Sequence, residues 1–111
     1  MGIPADALEP HVQAAAAACW AVLLQTPAAV VTDIDGTISA IAPTPAEAMV
    51  DPGARAALEL LTRRLATVAV VSGRAPEDGA AMVGLPELTY VGNHGLERIV
   101  RGEPWTHPTA A

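Results

Sequence analysis

Two aspartates one residue apart, Asp33 and Asp35, lie in the stretch Val31-Thr-Asp-Ile-Asp-Gly-Thr37, directly after an apolar run. In extended chain, residues two apart point the same way, so both carboxylates face a common side where strand passes into loop. Such a pair suits a magnesium ion and a phosphoryl group. Phosphoryl transfer is mainly positioning plus neutralisation of charge on the equatorial oxygens, and hard oxygen donors holding Mg2+ supply that. Gly36 lets the backbone turn sharply beside a ligand, and Thr37 can donate a hydroxyl hydrogen bond. By average residue frequencies, Asp-x-Asp-Gly-Thr arises by chance in a chain of this length about once in a thousand cases. The pattern is not an EF-hand loop, which wants Gly at its sixth position and Glu at its twelfth. Here Gly36 is fourth and the twelfth residue is Thr44.

A second group, Ser72-Gly73-Arg74, offers a hydroxyl, an open backbone N–H and the start of a helix, which together make an anion site. Arg74 can add a forked, charge-assisted contact to phosphate. A third, Gly92-Asn93-His94-Gly95, places His94 in a glycine-rich turn where it can face a substrate. His11 and His107 fall in a helix and a tail and carry no such pattern, and Arg98 and Arg101 read as surface charges.

These groups must be carried by regular elements. Ala28 to Ile34 and Thr67 to Val71 are short, nearly uninterrupted apolar runs, as strands buried on both faces read, and Leu88 to Val91 is a third. Between the first two, Asp51-Pro52 is a helix start, with Asp as N-cap and Pro at the first position. Ala54, Leu58, Leu61 and Leu65 then share one face, with Arg55, Glu59, Arg63 and Arg64 at polar positions. Pro76, Glu77 and Asp78 read as the first turn of another helix, which Gly84 ends. Alternating strands and helices imply right-handed crossovers and a parallel sheet whose ligands sit at the carboxyl ends of the strands, where all three groups fall. Asp6 to Gln25 reads as an N-terminal helix capped by Asp6 and ended by Pro27. Leu96 to Val100 is a further strand candidate, and the segment with Pro104 and Pro108 reads as an unstructured tail. The organisation expected is therefore 1–26 N-terminal helix, 27–102 an α/β core domain, and 103–111 tail.

Composition narrows the class. With 51% hydrophobic and 16% charged residues the 111-residue chain is a packed globular one, and with two Trp, one Tyr and no Phe its core must be Ala, Val and Leu. A formal net charge of -6 and a pI near 4.8 speak against nucleic-acid and anionic-membrane partners. Cys19 is the single cysteine, so no internal disulfide forms, and a cytoplasmic setting fits. It reads as a small buried apolar residue. No Lys or Arg precedes Arg55, so the Ala-rich stretch from His11 to Val31 lacks the basic start of an export signal, and Gln25, Thr26 and Pro27 interrupt it too soon for a membrane span.

In this order the groups resemble the haloacid dehalogenase superfamily, and in detail its trehalose-6-phosphate phosphatase family. The closer likeness rests on Pro43-Thr-Pro45 with Ala48 and Asp51-Pro52 beyond it, on Val70-Val-Ser-Gly-Arg74, and on Gly92-Asn-His-Gly95 with Glu97, over about Ala28 to Gly102. The resemblance implies an α/β fold, a partial doubly wound parallel sheet lacking the cap and the C-terminal half. It implies that Asp33 attacks phosphorus to form an aspartyl-phosphate and that Asp35 protonates the leaving sugar oxygen and then deprotonates water. Asp33 and Asp35 would hold Mg2+. Phosphate or substrate contacts would come from Asp33, Ile34, Asp35, Thr37, Ser72, Gly73, Arg74, Asn93 and His94, and the partner would be a small-molecule sugar phosphate, trehalose 6-phosphate. The superfamily also uses a basic residue, usually Lys, and a later acidic pair. This chain has no lysine, and its only adjacent acidic pair is Glu77-Asp78. An N-terminal portion of a phosphatase, inactive by itself, is the expectation. Competing readings are a phosphatase for sucrose or mannosylglycerate phosphates, a non-catalytic fragment whose open sheet edge promotes association, and a receiver domain. The last needs its phosphorylated Asp after the third strand, where this chain has Val91-Gly92-Asn93.

Overall fold

The computed structural model describes residues 9–110. Three apolar runs become parallel strands, β1 (Ala29–Thr32), β2 (Thr67–Val71) and β3 (Thr89–Gly92), joined by α2 (Pro52–Thr62) and α3 (Pro76–Val83), with α1 (Pro10–Leu23) ahead of them. The sheet continues as an antiparallel hairpin, β4 (Glu97–Val100) and β5 (Glu103–Thr106), in the spatial order β1-β2-β3-β4-β5. The fold is thus α/β with a mixed five-stranded sheet rather than a wholly parallel one.

Both crossover helices pack on the same face. Val68, Val70 and Tyr90 point to that side, and they join Leu58 of α2, Val83 of α3, Ile34, Leu85 and Leu88 in one buried cluster. Local chemistry explains each helix. Asp51 Oδ2 accepts the Ala54 N–H at 2.9 Å and Pro52 takes the first turn of α2, where its missing N–H costs nothing. Gly84 ends α3 in the left-handed region, φ 71°. Arg55 adds a tie that its polar helix position does not announce: Nε and Nη2 donate to Val83 O at 2.7 Å and Gly84 O at 2.9 Å, closing the carboxyl end of α3 from α2. The Tyr90 hydroxyl, buried, donates to Leu85 O at 2.6 Å, and burial pushes its phenol above the ordinary value. Because the folded phenol holds its proton more tightly than the unfolded one, stability is complete below about pH 10 and falls as pH rises through the folded value. Tyr90→Phe should lose roughly 1 kcal/mol at neutral pH, because the Leu85 carbonyl loses its short bond and keeps only the Leu88 N–H at 3.3 Å, and should flatten the alkaline decline in denaturant titrations run from pH 7 to 11.

Four expectations are corrected. The strand from Ala28 to Ile34 is not covered on both faces: Val31 is 64% exposed, and Val71 and Trp105 share its bare side of the sheet. Right-handed crossovers that step in one direction put every helix on one face, so nothing among the described residues covers the other. Residues 103–106 are a strand, not tail. Arg101 and Gly102, at φ 50° and 82°, form a two-residue turn with both dihedrals positive, the geometry that suits a hairpin, and Pro104 is tolerated because β5 is an edge. Arg98 is more than a surface charge, since its guanidinium lies 4.5 Å from the centre of the Trp105 ring across the β4–β5 pair. Cys19 is exposed, because α1 has no buried residue at all. The proposed Asp6 cap lies outside the described residues, and Glu9 occupies the N-cap position instead. No helix among the described residues is long and apolar enough to cross a membrane.

Candidate active site

The aspartate pair, the serine turn and the glycine-rich turn follow β1, β2 and β3 directly, so all three stand at the carboxyl edge of the parallel strands. Ile34 is fully buried between the two aspartates, and its N-terminal and C-terminal neighbours are therefore turned outward. Asp33, Asp35, Ser72, Gly73 and Arg74 line one cleft of about 440 Å³, with Ala42 and Pro45 on its rim. A larger groove, about 690 Å³, opens at the other end of the strands; Glu87 and Arg101 are its only charged lining residues.

Within the cleft the two carboxylates differ sharply. Among the described residues Asp33 has no hydrogen bond or ion pair to its carboxylate, only the Thr32 hydroxyl on its main-chain oxygen at 2.9 Å. Its oxygens are free to attack or to ligate. Asp35 is gripped: Arg74 Nε and Nη2 donate to Oδ2 at 2.9 Å and Oδ1 at 2.7 Å, a forked pair, and Nη2 also reaches Pro45 O at 3.0 Å. Arg74 is therefore not a free fork awaiting phosphate. The Arg74 hydrogen bonds hold the Asp35 carboxyl below the ordinary carboxylate range, against a smaller upward push from burial. The sign follows: this pair adds stability above the unfolded value near 4, and loses it as pH falls through the depressed folded value. Asp35 is 42% exposed, so the amount is small. Arg74→Gln should raise the Asp35 value towards about 3.9 in a carbon-detected NMR titration of the metal-free chain; an unchanged value would mean that the pair does not persist in solution.

Ser72 and Gly73 keep the anion-binding features their types suggest. Ser72 Oγ is buried and accepts the Arg74 N–H at 3.0 Å, leaving its own hydrogen to donate, while the Gly73 N–H has no acceptor among the described residues. His94 approaches from the third turn, its Cε1 standing 3.5 Å from where a Gly73 side chain would begin. It does so from a backbone with three successive positive φ values, 49° at Asn93, 58° at His94 and 90° at Gly95. Asn93 stabilises that turn by donating from Nδ2 to Glu97 Oε2. Thr37 is exposed and lies off the cleft lining, and Ile34 can reach a ligand only through its backbone.

A metal would find few donors. Among the described residues no group of three or more His, Cys, Asp or Glu side chains could hold one. Asp33 and Asp35 offer hard oxygens on one cleft, which is compatible with Mg2+, since that ion uses one or two carboxylates and fills its shell with water and substrate phosphate.

The chain is similar to known proteins. Residues 31–111 match the family model described as trehalose-phosphatase. Over 69 residues, 62% of this chain, the sequence is 46% identical to a trehalose-phosphate phosphatase of Mycobacterium tuberculosis. It is 39% identical, again over 69 residues, to the probable trehalose-phosphate phosphatase G of Arabidopsis thaliana. The chain spans 17% of the former and 18% of the latter. The crystal structure of a trehalose-6-phosphate phosphatase related protein superposes with a TM-score of 0.66 at 25% identity, covering 73% of this chain and 34% of that one.

Proposed function

Because the chain belongs to the trehalose-phosphatase family, we propose that its cleft is the phosphoryl-accepting part of a trehalose 6-phosphate phosphatase, a cytoplasmic enzyme acting on a small sugar phosphate. The observation that carries this reading is the Asp33 carboxylate, unpartnered among the described residues, in one cleft with the Ser72 hydroxyl and the Gly73 N–H, which likewise has no acceptor among them.

Asp33 attacks phosphorus, the bond to the sugar oxygen breaks, and its electron pair leaves on that oxygen with a proton from Asp35. Water then attacks the aspartyl-phosphate, giving its proton to Asp35 and releasing phosphate and free Asp33. Ser72 and Gly73 hold the phosphoryl oxygens, and His94 closes over them from the third turn. Ile34 contributes a main-chain contact, Thr37 shapes the aspartate loop by donating its N–H to Ile34 O at 3.1 Å, and Asn93 serves through the turn it stabilises. Asp35, kept ionised by Arg74, is set for the proton-accepting half. In the donating half the dianionic phosphoryl group beside it, a like charge, pushes its carboxyl back up. Asp33 and Asp35 would hold Mg2+, which neutralises charge on the phosphoryl oxygens.

The chain has no lysine, and Glu77-Asp78 is committed to the first turn of α3. An anionic nucleophile beside a dianion then faces repulsion that no lysine offsets. The 111-residue chain with Mg2+ should release no phosphate from trehalose 6-phosphate. Residues 29–106, set in place of the matching segment of the Mycobacterium tuberculosis relative, should restore release, and should favour trehalose 6-phosphate over sucrose and mannosylglycerate phosphates. A folded but inactive graft would overturn the assignment, and turnover by the chain alone would mean that no lysine is needed.

A further inference from the structure

We infer that Arg74 is a positioning residue and not a phosphate ligand: its guanidinium joins the Asp35 carboxylate to the Pro45 carbonyl, so the serine turn sets both the second aspartate and the proline loop. This rests on the reading of Asp33 and Asp35 as the reacting pair.

Arg74 meets four segments at once. Its side chain makes the forked contact to Asp35 in the aspartate loop and the third bond to Pro45 O. Its N–H donates to Ser72 Oγ, and its carbonyl accepts the Asn93 N–H at 2.9 Å. A planar fork on both carboxylate oxygens fixes the plane of that carboxylate, which a single ammonium cannot do. The side chain is only 16% exposed, so it has less freedom to swing towards an incoming ligand than the 42% exposed Asp35 beside it.

The proline loop explains why such a tie is needed. Its internal hydrogen bonds, Glu47 N–H to Thr44 O and Ala48 N–H to Pro45 O, remain within the loop, and the Ser39–Val50 bridge pins only its base. Along the proline loop Ile41 is 83% exposed and Met49 81% exposed, and of residues 41–49 only Ala48 is buried, so packing there is slight. Arg74 thus anchors the loop tip to the sheet, and it does so through the same nitrogen that orients Asp35.

Positioning and phosphate binding predict different results. In the 111-residue chain, Arg74→Gln and Arg74→Lys should each speed amide exchange of residues 40–48 by roughly tenfold or more while β2 and β3 amides keep their protection. Lysine should fail to rescue because it lacks the fork. In the grafted enzyme both variants should lower kcat for trehalose 6-phosphate by roughly a hundredfold, the scale of a displaced proton donor, with KM nearly unchanged. They should slow hydrolysis of p-nitrophenyl phosphate less, because its leaving group needs no proton and only the shared hydrolysis of the aspartyl-phosphate still calls on Asp35 as base. Unchanged exchange at residues 40–48 would overturn the inference, as would a rise in KM for both substrates with kcat preserved. An inactive unsubstituted graft counts against the function and not against Arg74, whose role the exchange of the 111-residue chain decides.

Discussion

Asp33→Asn in the grafted enzyme should lower kcat for trehalose 6-phosphate by about 10⁴-fold or more, the scale seen when a covalent nucleophile is removed. An amide matches the carboxylate in shape but cannot attack phosphorus. Stability should stay within about 0.5 kcal/mol, because the Asp33 carboxylate is exposed and bonds to none of the described residues. This separates chemistry from folding. Asp35→Asn should cost less, roughly 10²–10⁴-fold, because it removes proton transfer and leaves the nucleophile in place. Equal losses at the two positions would argue that the pair acts only through charge.

Gly92→Ala should be the most damaging single substitution for the fold. Gly92 has φ -137°, which any residue adopts, so backbone strain does not require glycine there. Space does. A Cβ would stand 2.6 Å from Pro76 N and closer still to Arg74 O, both backbone atoms or atoms locked to it, so no rotamer change relieves the clash. Separating β3 from the start of α3 should cost on the order of 3 kcal/mol, lowering Tm by roughly 15 °C for a domain of this size. Gly95→Ala is the informative contrast: its φ is 90° but nothing lies within 4 Å of the added carbon, so only conformational strain of about 1–2 kcal/mol applies. Circular-dichroism melting of both variants tests the ranking, and a Gly92→Ala Tm within a few degrees of the parent would contradict the steric argument.

Local signals carried most of the fold. Asp51-Pro52 marked the start of α2, Gly84 marked the end of α3, and valine runs marked the parallel strands, because caps, φ restrictions and burial periodicity act over a few residues. The aspartate pair and Ser72-Gly73 were legible for the same reason, since each forms its geometry within one turn.

What the sequence did not announce depends on partners distant along the chain. Arg74 looked like a phosphate fork because its type fits one; its pairing with Asp35, 39 residues away, is a tertiary fact. Arg55 looked like a surface residue, yet it caps α3 from 28 residues away. The exposed Val31 and Cys19 were misread by residue type, which states a preference for burial and not what is available to provide it. β5 was missed because Pro104 within it and Pro108 beyond it outweighed Arg101-Gly102, a turn pair less telling than Asn-Gly.

The central claim is that Asp33 takes up the phosphoryl group. Reducing the grafted enzyme with borohydride during turnover of trehalose 6-phosphate, then sequencing the tryptic peptides by mass spectrometry, measures this directly, because an acyl-phosphate is reduced to the alcohol while a free carboxylate is not. The account predicts homoserine at position 33 and nowhere else. Homoserine at position 35, or rapid turnover with no reduced aspartate, would contradict it.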